Sequence, residues 1–173
     1  MKTEWTIIQD TREKKPLKFT ANLKVLNDNF PPPKQRMITI RLHTLQEKLE
    51  AGDYLLQGYE SNTIIERKGS LREIAKNCLN EKDRVRFVKA LKKLSEACKH
   101  PILMLEGTPL QMEKPTKHVP NPGVAIDALM RLIREYNVEL MLLPGTTYSH
   151  RRACAIWVAR LLIAGAITNG NKI

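Results

Sequence analysis

The chain has 173 residues, enough for one compact domain with its own core and too few for two. Its 29 lysines and arginines exceed its 18 acids, and the resulting formal charge of +11 favours a polyanionic partner such as nucleic acid. No apolar run approaches the roughly 20 residues of a membrane-spanning helix, and no secretory signal begins the chain, so we expect no membrane partner and a cytoplasmic location, nuclear in a eukaryote.

The first half of the chain reads as strands joined by polar loops. Residues 5–10 (WTIIQD) form a β-rich run that ends on Asp10, and a polar loop follows. Residues 27–35 contain three successive prolines, which lack amide donors and therefore predict a loop. Three further strands are predicted, and we expect them to be neighbours in one sheet: residues 36–45, 52–58 and 62–68.

Two consecutive helices are predicted in the middle of the chain. Ser70 lies three residues before Glu73, which is the spacing of a capping box at a helix start. Residues 81–99 combine an apolar stripe that begins at Val85 with a basic face. This second helix should pack through the stripe and present its basic face to solvent or to a partner.

A strand–helix–strand unit follows. The apolar run of residues 101–107 is typical of a buried parallel strand, and residues 138–145 repeat it after a predicted helix over residues 123–136. Residues 150–166 predict a final amphipathic helix, and residues 168–173 a frayed tail. The order of the elements predicts one α/β domain over the whole chain, with a mixed central sheet flanked by helices.

Three acids, Asp10, Asp53 and Glu66, lie at strand ends or at a turn that feeds a strand. Lys68 follows Glu66 by two residues, so both side chains can face one side of a strand, where a neighbouring strand can bring Asp53 beside them. Paired carboxylates favour a hard divalent cation, and Mg²⁺ suits such a site. The Lys68 ammonium can orient or help deprotonate water and offset charge on a phosphate, which is metal-assisted phosphodiester hydrolysis.

Five segments also carry a family resemblance: DTREKKPLKF, GDYLLQGYE, IIERKGSLREI, DRVRFVKALKKL and ILMLEG. Their order and approximate spacing resemble the XPF-type nuclease domain, which belongs to the PD-(D/E)XK nuclease superfamily. The resemblance covers about residues 5–107 by motif, and the later elements fit the remainder of that domain in order only. It implies a restriction-endonuclease-like core for the predicted sheet.

The resemblance implies a Mg²⁺-dependent DNA endonuclease, with Mn²⁺ able to substitute, that cuts near junctions, flaps or forks. The catalytic positions of the family correspond here to Asp10, Asp53, Glu66 and Lys68. The first three of these would hold the metal. Supporting roles fall to Glu13, Arg67 and Glu73. Contacts with DNA fall to the basic helix that follows, through Arg84, Arg86, Lys89, Lys92 and Lys93.

The family also implies a homodimer, which agrees with the apolar character of residues 154–166. Two features depart from the family pattern. The third motif usually runs E-R-K, a serine and then an aspartate three residues on, whereas here Gly69 is inserted and Glu73 takes the place of that acid. The tandem helix-hairpin-helix domain of eukaryotic and archaeal members is not expected in this chain. Stand-alone copies resemble phage and prophage proteins, which implies a role in DNA recombination, replication or repair.

Each feature also has a simpler interpretation when it is taken alone. Asp53 can be an ordinary turn residue, residues 66–68 a solvated strand end, and Arg84 and Arg86 part of a solvated helix face. Together these interpretations lose weight, because unrelated surface charges would have to fall at several positions of one family at once. Trp157 is predicted to belong to the core or an interface.

Two other functions compete with cleavage of DNA. The first is a catalytically silent nuclease-fold module that binds DNA and supports a partner protein, against which the retained Asp53, Glu66 and Lys68 argue. The second is an RNA-binding or RNA-cleaving protein, which is less favoured because the sequence has no cluster of stacking aromatic residues.

Three cysteines and four histidines are scattered along the chain, so neither a disulfide framework nor a zinc site is predicted, and no small-molecule cofactor is expected.

Overall fold

The computed structural model describes residues 3–27, 36–145 and 147–168. The strands are β1 (Glu4–Asp10), β2 (Asn22–Asn27), β3 (Arg36–Glu47), β4 (Tyr54–Leu56), β5 (Thr63–Lys68), β6 (His100–Glu106) and β7 (Glu139–Leu143). The helices are α1 (Leu71–Leu79), α2 (Glu81–Ala97), α3 (Pro109–Met112), α4 (Pro122–Glu135) and α5 (Tyr148–Thr168). The strands form one mixed sheet in the order β2-β3-β1-β4-β5-β6-β7, which confirms the predicted α/β fold. The proline loop and the frayed tail lie outside the described residues, apart from Asn27 and Thr168.

The expected adjacency of three strands is only half correct. β4 is next to β5, as predicted, and pairs antiparallel with it. However, β1 lies between β3 and β4, parallel to the first and antiparallel to the second. β1 takes this central position because its consecutive residues Ile7 and Ile8 are both buried, so both of its faces must be covered. β2, which the sequence analysis did not predict, pairs antiparallel with β3.

Alternate residues of the central strands pack into two separate cores, one on each face of the sheet. Ile65 belongs to the core that contains α5, whereas its neighbour Ile64 belongs to the core that contains α1, α2 and α4. Side chains two residues apart on a strand share a face. Continuing this alternation along β5 places Glu66 and Lys68 on the face of α1 and α2, and Arg67 on the face of α5.

Gly52 makes the turn that precedes β4. Its φ is +69°, and a Cβ at this position would lie 2.4 Å from Cγ2 of Ile64, so the turn passes closely over β5. The Asp53 amide then donates to the Ile65 carbonyl oxygen over 2.8 Å. The glycine therefore determines where the acid of the Gly-Asp-Tyr motif lies.

The helix α2 buries different residues from those expected, and on α5 Trp157 lies outside the core, which leaves an interface as its predicted role. α2 packs through Phe87, Leu91 and Leu94, while Val85, the predicted start of its stripe, is 67 % exposed. Phe87 displaces Val85 from the core because the larger ring removes more apolar surface from water. In α5 most apolar residues are buried against the sheet, but Trp157 is 62 % exposed and is not part of the core.

Across the ranges that the structure describes, no helix combines the length and the apolar character that crossing a membrane requires.

Candidate active site

Three of the predicted acids lie side by side across the middle of the sheet. The pairing of β1 with β4 sets Gln9 opposite Tyr54, and one position further the Asp10 amide donates to the Asp53 carbonyl oxygen over 2.9 Å. The pairing of β4 with β5 sets Tyr54 opposite Ile65, so Asp53 comes next to Glu66. The strand ends β1, β4 and β5 thus form one row that carries Asp10, Asp53 and Glu66.

Asp53 and Glu66 form a pair of carboxylates with incomplete charge compensation. Oδ2 of Asp53 accepts a hydrogen bond of 2.7 Å from the Arg67 amide. Burial and repulsion from Glu66 outweigh this bond and raise the pKa of Asp53 to about 7. A cation placed beside both carboxylates would remove this cost of ionisation.

Lys68 is held as an ammonium group beside the pair. Its Nζ donates to Oε1 of Glu66 over 2.7 Å, lies 3.6 Å from Oε1 of Glu73, and sits 5.6 Å from the ring centroid of Phe87. Burial opposes the charge, but Glu66 and Glu73 outweigh it and raise the pKa of Lys68. A protonated lysine cannot accept a proton, so the geometry favours the electrostatic role of Lys68 over a role as a base.

Glu73 reaches this cluster despite the inserted Gly69. The Ser70 hydroxyl accepts a hydrogen bond of 3.2 Å from the Glu73 amide, which confirms the predicted cap of α1. Oε2 of Glu73 accepts from the Gly69 amide over 2.9 Å instead of from the Ser70 amide that a capping box would use. This shift by one residue leaves Oε1 of Glu73 facing Lys68.

Asp10 lies beside Asp53 in the sheet, but both oxygens of its carboxylate already accept hydrogen bonds from protein groups. Nε and Nη2 of Arg12 donate to its two oxygens over 2.9 and 2.5 Å, and the amides of Arg12 and Leu49 donate over 2.6 and 3.1 Å. Burial opposes ionisation, but these bonds outweigh it and lower the pKa of Asp10. Among the described residues no three metal-ligating side chains converge. A role for Asp10 as a metal ligand therefore stays a prediction.

Arg67 lies on the opposite face of the sheet, in a network with α5. Its Nε donates to Oε1 of Glu106 over 2.6 Å, and its Nη1 donates to Oε1 of Glu13 over 3.1 Å. Nη1 of Arg151, in the first turn of α5, donates to the same oxygen of Glu106 over 2.5 Å. The network buries Arg67 and Glu106 to 6 % side-chain exposure and ties β5 to β6 and α5.

Glu106 and Arg151 were not predicted as members of the site. An acid that ends an otherwise apolar buried strand is a signal in the sequence for Glu106, because a buried carboxylate requires a cationic partner. Arg151 has no comparable signal, since its partner lies 45 positions away in the chain.

The acids open into a cleft of about 1220 Å³ with a basic rim. Besides Arg67 and Lys68, seven basic residues line it: Arg12, Lys14, Lys15, Arg86, Lys89, Lys93 and Arg151. Three of the five residues predicted to contact DNA therefore line the cleft, namely Arg86, Lys89 and Lys93, and their contact with DNA stays a prediction. The other two point elsewhere, since Nη1 of Arg84 donates to the Cys78 carbonyl oxygen and Nζ of Lys92 lies 3.8 Å from a carboxylate oxygen of Glu96.

The donor set of the cleft fits a magnesium ion. Mg²⁺ is commonly bound through one or two carboxylates while it retains several waters. Asp53 and Glu66 supply two carboxylates on neighbouring strands, and a cation beside them would offset the burial and the repulsion that raise the pKa of Asp53. These two residues can hold such an ion between them.

The chain matches one family model and is similar in fold to solved structures. The sequence matches the ERCC4 domain over residues 32–151. The fold is similar to XPF from Aeropyrum pernix, with a TM-score of 0.59 and 18 % identity over 93 % of this chain and 65 % of that chain. XPF from Aeropyrum pernix in complex with DNA is also similar, with a TM-score of 0.58 and 17 % identity over 95 % of this chain and 66 % of that chain. The chain thus spans about two thirds of the length of these relatives. Comparison with curated protein sequences gave no significant match.

Proposed function

The chain belongs to the ERCC4 domain family, and on this basis we propose that it is a metal-dependent DNA endonuclease whose reaction takes place at Asp53, Glu66 and Lys68. The observation that carries the proposal is the pair of incompletely compensated carboxylates, with one ammonium beside it, in a cleft with a basic rim. A merely structural ion pair would be balanced and would not need such a rim.

Each residue of the cluster has a separate task in this proposal. Asp53 and Glu66 hold Mg²⁺ or Mn²⁺, and the Arg67 amide keeps the Asp53 carboxylate oriented. When bound, the ion polarises the phosphate and makes water a stronger nucleophile. The Lys68 ammonium, oriented by Glu66 and Glu73, offsets the negative charge that develops on the phosphate during the reaction.

The rim of the cleft supports DNA as the substrate. Arg86, Lys89 and Lys93 lie at helical spacing on the side of α2 that faces the acids, and Lys14 and Lys15 contribute from the loop after β1. Such positive charge binds phosphates without regard to base sequence. The proposal includes a preference for branched, flap or fork DNA, and a similar XPF was determined in complex with DNA.

A homodimer is also part of the proposal. Trp157 presents a large exposed ring on α5, and the half-buried Ile156 and Leu161 lie beside it. Exposed apolar surface of this kind is a common site of association. Sedimentation at micromolar concentration should give twice the 19.8 kDa of the chain, and a species of 19.8 kDa alone would contradict the dimer.

A cleavage panel tests the proposed activity. Single-stranded, duplex, flap, fork and four-way-junction DNA are incubated with the protein in Mg²⁺, in Mn²⁺ and in EDTA. We expect cutting with either metal, none in EDTA, and the highest rate on a branched substrate. Binding without cutting on every substrate would instead favour the silent DNA-binding module.

A further inference from the structure

A second, smaller pocket adjoins the cleft on the side of α5. It has a volume of about 410 Å³ and is lined by Pro16, Lys18, Phe19, Thr20, Tyr148, Arg151 and Arg152. Pro16 and Arg151 also line the cleft, so the two spaces share a wall. Among the residues that the structure describes, no acidic side chain lines this side pocket, in contrast to the cleft beside it.

Contacts with residues outside the side pocket hold two of its lining residues in place: Arg151, which also lines the cleft, and Phe19. Arg151 donates to Glu106 through Nη1 and to the Lys15 carbonyl oxygen through Nη2, both over 2.5 Å. The Phe19 ring meets the Tyr54 ring edge to face, with centroids 5.8 Å apart. The Tyr54 hydroxyl in turn accepts a hydrogen bond of 3.0 Å from the Leu17 amide. The pocket is therefore formed before any ligand arrives.

The open side of the pocket combines an aromatic ring with cations. Tyr148, the first residue of α5, is 75 % exposed, although a ring of this size loses free energy by remaining in water. Lys18 and Arg152 are exposed beside it. A flat aromatic face next to two cations matches the chemistry of a nucleotide, which offers a base to stack and a phosphate to neutralise.

We propose that the side pocket binds one unpaired nucleotide of the DNA strand that leaves the cleft, with its base stacked on Tyr148 and its phosphate beside Lys18 and Arg152. This inference rests on the DNA binding that the proposed function requires. A base inside a duplex is already stacked on both sides, so only a nucleotide from a single-stranded segment can enter without breaking a pair. The pocket thereby gives the protein a reason to prefer duplexes with an adjoining single strand.

Equilibrium binding in EDTA tests the inference without requiring cleavage. Fluorescein-labelled blunt duplex is compared with the same duplex carrying a 5′ or a 3′ single-stranded thymidine flap. We expect Tyr148→Ala to weaken binding of one flap substrate at least about fivefold, the factor that corresponds to a stacking contribution of 1 kcal/mol, and to leave the blunt duplex unchanged. Tyr148→Phe retains the ring and should bind as the unmodified protein does.

An abasic site locates the contact on the DNA. It is placed at each of the first nucleotides of the flap in turn, and one position should reproduce the loss seen with Tyr148→Ala. Combined with Tyr148→Ala, the abasic site at that position should cause no further loss, because both changes remove the same contact.

Matched cation variants complete the test. Arg152→Ala should weaken flap binding more than duplex binding, whereas Arg131→Ala, an exposed arginine on α4 across the sheet, should not discriminate between them. Equal effects of Tyr148→Ala on flap and duplex would overturn the inference while the proposed endonuclease stands. If the unmodified protein did not bind DNA at all, both the nucleotide pocket and the endonuclease would be overturned. Binding of DNA without cleavage in Mg²⁺ would overturn the endonuclease alone.

Discussion

The two faces of β5 carry charged clusters of opposite character. Arg67 faces α5, where Glu106, Glu13 and Arg151 complete a buried network with two cations and two anions. Glu66, the residue before it, faces α1 and α2, where burial of Asp53 and repulsion from Glu66 together raise the pKa of Asp53 to about 7. One strand thus separates a balanced cluster, which stabilises the fold, from an unbalanced cluster, which is poised to bind a cation.

The largest expected effect concerns the balanced cluster. Glu106→Ala leaves Arg67 and Arg151 without their shared carboxylate, and removal of one partner from a buried ion pair typically costs about 3–5 kcal/mol. We expect a loss of stability of that size in urea unfolding. Glu96→Ala removes an acid from the exposed pair with Lys92 and should cost less than about 1 kcal/mol. Similar losses in the two variants would show that the network is not stabilising in the way proposed.

The second prediction concerns Lys68, which belongs to the unbalanced cluster on the face of α1 and α2. We expect the single-turnover cleavage rate of Lys68→Ala protein to fall by a factor on the order of 10² or more, because the ammonium acts chiefly in the transition state. Affinity for Mg²⁺ and for DNA should change little. Arg72→Ala, on the exposed face of α1, should leave the cleavage rate unchanged and weaken DNA binding most at low salt, where its charge is least screened. Near-normal cutting by folded Lys68→Ala protein would remove Lys68 from the mechanism.

The pH dependence of stability should also distinguish the clusters. The pKa of Asp53 is raised in the folded protein, so between about pH 4 and pH 7 the folded state binds more protons than the unfolded state. The stability that this group gives the metal-free protein is therefore fully present below the ordinary aspartate pKa of 3.8 and is lost as the pH rises through about 7. Asp53→Asn should remove that loss and be more stable than the unmodified protein at pH 8 in EDTA.

The measurement is urea unfolding at pH 5 and pH 8, with and without Mg²⁺. The difference between the unmodified protein and Asp53→Asn cancels the contribution of other titrating groups. In the unmodified protein alone, Mg²⁺ should restore stability at pH 8. An Asp53→Asn advantage that is the same at both pH values would contradict the assignment of excess charge to Asp53.

The smallest effects are expected along α2. Arg86, Lys89 and Lys93 face the cleft, while Lys92 on the same helix lies outside it. Replacement of each of the first three by alanine should reduce the slope of log affinity against log salt concentration by about 0.9, and Lys92→Ala should leave the slope unchanged. Equal slopes for all four variants would show that the residues lining the cleft contact phosphate no more than Lys92 does.

The positions of the residues in the unbalanced cluster could be predicted from the sequence because they depend on local geometry. The two-residue spacing of Glu66 and Lys68 and the Gly52 turn before Asp53 follow from strand alternation and one tight turn. The insertion of β1 between β3 and β4 was not predictable in this way, since strand order depends on pairing between distant segments. The same holds for the pair of Arg67 with Glu106, which lie 39 positions apart.

Asp10 shows a second limit of prediction from sequence, which concerns the direction of a side chain. Its position at a strand end was predicted, but the direction of its carboxylate depends on Arg12, two residues away, whose side chain covers both oxygens. The position of a backbone follows from a sequence pattern more readily than the hydrogen-bond partner of a side chain. Phe87 replaces Val85 in the core for a similar reason, because periodicity alone does not rank competing apolar residues by size.

Glu66→Gln tests the central claim most directly. The side chain keeps its size but loses the charge that acts on both Asp53 and Lys68. Mn²⁺ binding by calorimetry and cleavage of a flap substrate are measured on the same preparation, with circular dichroism to establish folding and DNA affinity in EDTA as a control. The account predicts that Glu66→Gln remains folded and binds DNA, while metal binding weakens and cleavage is abolished. A folded Glu66→Gln protein that cuts DNA at a near-normal rate would contradict it.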